Sequence, residues 1–254
     1  MATVKILEID DNNNSNVFHK SQAIEAVSVD TKNGEEAFGE MLFEQMATGA
    51  NLIVDLGGGN DSKKGLEIIK KADRGDWIYI IPVGNSLSSG KNAKDTYELI
   101  GRPENTIFAL NQIYDLSSVE KDWMFWFGNK SLNIKSLSKE LKDPKTILIP
   151  QSPFFEIAAT AGFTVGEFAS ICEPLLELQD IRQVLYDRSN NDKDKYMQTW
   201  GQYCQSVEAR NIINKFLPKI KETLGEPRNI VVCSTKGGVG KSTTSFHVLP
   251  LLFS

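Results

Sequence analysis

A glycine-rich turn between an apolar strand and a helix constrains this chain more than any other stretch. Ile230, Val231 and Val232 are β-branched and read as a buried strand. The turn runs from Lys236 to Gly240, and Lys241, Ser242 and Thr243 open a helix predicted to reach Leu249 or beyond. Gly237, Gly238 and Gly240 let the backbone curl until its N–H groups point inward, a concavity suited to phosphate oxygens. The start of the helix adds its positive end. The expected phosphate cradle is therefore Gly237, Gly238, Val239, Gly240, Lys241, Ser242 and Thr243. In it Lys241 would neutralise the β- and γ-phosphates of a nucleoside triphosphate, and the Ser242 hydroxyl would ligate Mg2+.

The usual form of such a box, G-x-x-x-x-G-K-[ST], has glycine where this chain has Thr235, and here a second lysine, Lys236, precedes the glycines. The run Lys236-Gly-Gly-Val-Gly-Lys-Ser242 resembles the deviant Walker A box of the ParA/MinD family of ATPases. That resemblance implies ATP/ADP and Mg2+ as cofactors and a nucleotide-dependent homodimer, in which Lys236 reaches the partner's phosphates. It implies slow ATP hydrolysis in plasmid partition or intracellular positioning, with a partner protein or non-specific DNA as further partner classes.

Only eleven residues follow Thr243, too few for the rest of a domain, so the domain is expected upstream. The stretch Thr3 to Ile9 is a strand ending at Asp10. With Ser254 joined in thought to Met1, strand 229–234, the glycine turn, helix 241–253 and strand 3–9 form one βαβ unit. The chain reads as a circular permutant of a ParA/MinD-like ATPase. The expected architecture is α/β: a mostly parallel P-loop NTPase sheet with helices on both faces. One domain spans 1–254, with 226–254 supplying the glycine-turn strand and helix and 166–224 a helical region. The P-loop strand is expected centrally, flanked on each side by strand 3–9 or strand 51–55, with Met1 beside Ser254.

Two further strand ends carry chemistry. The run Asn51 to Asp55 is apolar and ends in a carboxylate, as a Walker B strand does, where Asp55 would hold a Mg2+-bound water. Gly57, Gly58 and Gly59 follow it; such glycines, Gly58 among them, can approach a γ-phosphate through backbone N–H groups. The run resembles the family's D-T-P-x-G switch II, with Gly57 and Gly58 where proline is usual. After strand 3–9 comes a polar turn, Asp10 to Asn16, where Asp10 suits the metal shell. The resemblance puts the family's water-orienting aspartate at Asn12 and its proline at Asn13, which argues against fast hydrolysis. Either Asn12 or Asp11 serves there, or the turn is an asparagine-rich loop without chemistry. The catalytic set this implies is Lys236, Lys241, Asp10 and Asn12, with Ser242, Asp55 and Asp10 on the metal. A nucleotide-controlled binding module with negligible turnover is the alternative.

Asn111 ends a strand that begins at Thr106; the resemblance assigns it to adenine, the bland reading to a strand end. Pro150 opens a loop that resembles the one flanking the family's base. Residues 117–142 mix Trp123, Phe125, Trp126 and Phe127 with five lysines, and read as a satellite core or as a partner surface. Phe38, Leu42, Phe43 and Met46 keep helical spacing over Gly34 to Thr48 and are expected in the core, as are Trp200, Tyr203, Cys204, Val207, Phe216, Leu217 and Ile220.

Composition sets the outer bounds. The 254 residues are 41% hydrophobic and 24% charged, with net charge −5, which excludes a strongly basic nucleic-acid footprint overall. Three cysteines lie scattered without metal spacing, which favours a reducing compartment. No apolar run approaches the ~18 residues of a membrane span, and no leader is visible. A cytoplasmic protein with no membrane partner is expected.

Overall fold

The structure is a computed structural model that describes residues 4–11, 18–73, 75–235 and 238–253. Seven runs rich in branched apolar residues form strands: β1 (Val4–Ile9), β2 (Ile24–Val29), β3 (Asn51–Leu56), β4 (Trp77–Val83), β5 (Thr106–Ile113), β6 (Thr146–Pro150) and β7 (Asn229–Val232). They make one sheet, entirely parallel, in the order β2-β1-β3-β7-β4-β5-β6. A parallel sheet needs cover on both faces, and the inner strands are accordingly apolar on both.

One face packs under α1 (Gly34–Thr48), α2 (Asn60–Ala72), α3 (Leu87–Ile100) and three one-turn helices, α4 (Val119–Asp122), α5 (Met124–Phe127) and α6 (Leu137–Glu140). The other carries α7 (Pro153–Ala161), α8 (Val165–Ser170), α10 (Lys193–Leu224) and the segment after the glycine turn; α9 (Ile181–Arg188) leans on α10. Glu167 on α8 ties this layer to the run before β2. Its carboxylate accepts from the N–H groups of Gln22, Ala23 and Thr164 and from the hydroxyls of Ser21 and Thr164.

β7 sits in the middle of the sheet, as expected, but its neighbours are β3 and β4. β1 lies beyond β3, where all six of its residues pair with all six of β3. The β3–α2–β4 crossover leaves one slot open, and β7 fills it, pairing four residues on each side. Met1 and Ser254 lie outside the described residues.

Three other expectations need correction. Phe38 is buried, but Phe43 and Met46 are 75% and 86% exposed, and Met41 takes the inward place. In α1 the inward stripe runs through residues 34, 38 and 41, so Phe43 falls on the opposite side. The helix over 241–253 begins as α but continues as a π-helix (Thr243–Val248), in which Leu249 N–H bonds the Thr244 carbonyl, and then as a 3-10 turn (Leu249–Leu252). Pro250 has no N–H to give back along the helix and its ring crowds the preceding turn, which disfavours regular α-geometry there. On α10, Phe216 and Ile220 are buried as expected, whereas Trp200, Tyr203, Cys204 and Val207 are half-buried; Ser206, Ala209 and Ile213 complete the inward stripe. The stretch 117–142 resolves in favour of core: Trp123 and Trp126 are each 2% exposed, while its lysines face outward.

Candidate functional site

The strand register builds the site. Asp55 pairs with Glu8 on one side and with Val232 on the other, so Glu8 and Asp55 share a row at the carboxyl ends of the central strands. They face the side covered by the segment that follows the glycine turn. Asp55 is 2% exposed, and neither carboxylate oxygen completes a hydrogen bond. Burial pushes its pKa up to about 7, with Glu8 and Asp10 adding to the rise and Lys241 opposing it. The Ser245 hydroxyl also favours the ionised form, yet it too is buried without completing a hydrogen bond.

The glycine turn packs against Asn111 of β5. Gly238 and Gly240 both take left-handed φ values, +72° and +87°. At Gly240 the demand is double, because a Cβ there would lie 2.8 Å from Asn111 Nδ2. Asn111 is buried directly beneath, and its Nδ2 donates to the Val239 carbonyl at 2.7 Å. A register shift between Leu110 and Ile113, with Gln112 at φ +63°, marks the irregularity that delivers Asn111 there. The amide sent by resemblance to adenine is thus committed through one end to the turn itself, and its Oδ1 has no partner.

The turn's entrance is fixed from the other face. Thr235 N–H donates to Thr96 Oγ1 and Thr235 Oγ1 to the Asn92 carbonyl, both on α3. The Ser62 hydroxyl sits between the carbonyls of Gly57 and Ser234, joining the loop after β3 to the end of β7. Gly57 is needed because Asp10 packs against it: a Cβ would come 2.9 Å from Asp10 Cγ. Gly58 follows, half-buried, its carbonyl accepting from Asp61 N–H at 3.3 Å.

The remaining expected residues are placed as follows. Lys241 is half-buried and its charge acts on Asp55. Thr244 secures the start of the helix, bonding the Gly240 carbonyl through both N–H and Oγ1. Ser242 is exposed and makes no hydrogen bond with Asp55; together with Thr243 it lines a cavity on the outer side of the helix. The serine that meets Asp55 is Ser245, three residues on. Asp11 turns toward the end of β2, where its carboxylate accepts from Thr31 N–H at 2.7 Å and Thr31 Oγ1 at 3.1 Å; these bonds hold its pKa below the usual range. Pro150 ends β6, three places out from β7. Lys236, Gly237 and Asn12 lie outside the described residues.

Ser245, Ser62 and Glu8 escaped the sequence reading. For Glu8 a signal existed: an acidic residue alternating with Val4 and Ile6 in an apolar strand must face the core. For the two serines there was none.

A buried carboxylate with two unpaired oxygens, an unpaired hydroxyl beside it and a lysine opposite fit a hydrated divalent cation and a polyphosphate. Among the described residues no group of three His, Cys, Asp or Glu side chains could chelate a metal alone. Mg2+ generally binds through one or two carboxylates together with waters and substrate phosphates. Among the same residues no single helix is long and apolar enough to cross a membrane. Comparison of the chain with protein-family models, with curated proteins and with solved structures gives no match.

Proposed function

We propose that this chain is a Mg-ATP-binding, slowly hydrolysing ATPase of ParA/MinD type, circularly permuted, that dimerises with ATP and serves partition or positioning in the cytoplasm. The observation that carries the reading is Asp55: a carboxylate 2% exposed, with no hydrogen bond, on which the charge of Lys241, just after the glycine turn, acts. Leaving a carboxylate buried and unpaired is costly unless a ligand completes it. A Mg2+ ion bound with the triphosphate would do so, with Asp55 among the residues that would hold it and 236–243 holding the phosphates. When bound, the metal supplies Lewis-acid stabilisation of charge on the transferring phosphoryl group. Lys241 would hold the β- and γ-phosphates, Asp10 would order the metal's water shell, and Lys236 would cross to the partner subunit, as the resemblance implies.

A second reading, a nucleotide-controlled binding module with negligible turnover, draws support from Asp11. Its carboxylate is already engaged by Thr31, and the position the resemblance gives to the water-orienting aspartate is Asn12. The test of the main reading is size-exclusion with light scattering, in ADP and in a non-hydrolysable ATP analogue. A dimer formed only with the triphosphate, and lost in Lys236→Ala, is expected. A monomer under every nucleotide condition would remove the dimerisation claim.

A further inference from the structure

Between α7 and the helix that follows the glycine turn lies a cavity of about 230 Å3. It is smaller than the ~300–1,000 Å3 of pockets that enclose whole drug-sized ligands, so it admits a ring system rather than a complete nucleotide. Phe18, Phe155 and Phe246 wall it, and Ser242 and Thr243 stand at its mouth. Phe18 and Phe246 are stacked, with centroids 4.9 Å apart and planes 5° apart, and half-buried Phe18 covers fully buried Phe246.

His247 also lines the cavity and is 4% exposed. Its Nδ1 accepts the Val165 backbone N–H at 3.0 Å, which places the ring proton on Nε2. Burial pulls its pKa down to about 4, so the ring is neutral at physiological pH. Phe18 and Phe155 hold the ring between them, at centroid distances of 5.1 and 5.6 Å. The Nε2–H makes no hydrogen bond to the described residues and is not among the fully buried polar atoms, so it is open to a partner from the cavity.

We propose that this cavity reads the base of the bound nucleotide, taking a purine ring against the phenylalanines with His247 Nε2–H donating to a ring acceptor. The proposal rests on the nucleotide reading above and departs from the resemblance, which sends the base to Asn111. Asn111 Nδ2 is spent on Val239, whereas Ser242 and Thr243 carry the expected phosphate cradle directly to the cavity mouth. Glu156 at the rim provides a carboxylate within the lining that can accept from an exocyclic amine.

The experiment compares binding of Mg-ATP and of Mg-tripolyphosphate, which shares the phosphates but lacks the base, by calorimetry. His247→Asn keeps an acceptor near Nδ1 for Val165 but withdraws the donor; His247→Gln keeps a donor near Nε2. Loss of one such hydrogen bond is expected to weaken ATP ~5- to 10-fold in His247→Asn, with tripolyphosphate unchanged and His247→Gln closer to wild type. Ala159→Leu, which fills the cavity from α7, is expected to weaken ATP alone. Equal losses for both ligands, or an unchanged ATP affinity in His247→Asn and Ala159→Leu, would overturn the proposal. If wild type binds neither ligand, the nucleotide reading itself falls, and this inference with it.

Discussion

Asp55→Asn should stabilise the metal-free protein while abolishing its response to Mg2+. Asp55 titrates near 3.8 when unfolded and at about 7 when folded, chiefly because burial strips its hydration. Between those values the folded state holds a proton that the unfolded state has released. Stability therefore falls as pH rises; the penalty is complete above pH 7 and vanishes below 3.8. At ~1.36 kcal/mol per pH unit, the raised pKa costs ~4 kcal/mol at pH 8, where the buried group is ionised, and ~2 kcal/mol at pH 5, where it must take up a proton on folding. Asparagine escapes this penalty but leaves its own amide poorly paired, a pH-independent loss of ~1–3 kcal/mol. The diagnostic is thus the pH dependence: relative to wild type, the variant should gain ~2–3 kcal/mol more at pH 8 than at pH 5. His247, with its pKa lowered to about 4, pulls the other way, since stability is lost as pH falls from 6.5 through 4. That contribution is common to both proteins and cancels in the difference. Urea unfolding in chelator at the two pH values measures it. A difference independent of pH, or larger at pH 5, would refute the claim that Asp55 is ionised at a cost. Adding Mg2+ should raise the midpoint of wild type alone.

Three further outcomes are expected. Gly240→Ala must adopt φ +87° and push into Asn111 Nδ2, so urea unfolding should show a loss of ~1–3 kcal/mol. Glu167→Gln weakens a carboxylate held by five donors. Burial raises the Glu167 pKa, but the hydrogen bonds outweigh it and keep it low, so the ~1–3 kcal/mol loss seen above pH 5 should shrink as pH falls through the folded value. In single-turnover hydrolysis, Asn12→Asp should accelerate the reaction because a carboxylate can accept the attacking water's proton, whereas Asp11→Asn should leave the rate unchanged; the reverse pattern would reassign the role to Asp11.

Short-range signals proved the most legible. Helix α1 runs from Gly34 to Thr48 as its spacing predicts, and Gly49 closes it in the left-handed conformation. That Asp55 lies at the carboxyl end of its strand was legible because the apolar run 51–54 ends in it. That β4, rather than β1, flanks β7 depends on which crossover leaves a vacant slot, and no local pattern encodes this. Helical spacing identified a stripe on α1 but not its inward edge, so Phe43 was assigned to the core and is exposed. Pro250, in the 3-10 turn that ends this segment, is a local signal against a regular α-helix there. The Asn111–Val239 bond joins residues 128 positions apart, and only the β5 irregularity brings them together. Trp123 and Trp126 are core because three short helices fold them inward, something their lysine neighbours obscured.

The central claim is that residues 236–243, with Asp55, hold Mg-ATP. Calorimetric titration of Mg-ATP into wild type and Lys241→Ala, with circular dichroism to show that both are folded, tests it most directly. Removing the lysine takes away the charge-assisted contact to the β/γ-phosphates, so saturable, Mg2+-dependent binding is expected in wild type and none in the variant. Equal affinity in the two proteins, or no heat of binding in folded wild type, would contradict the account.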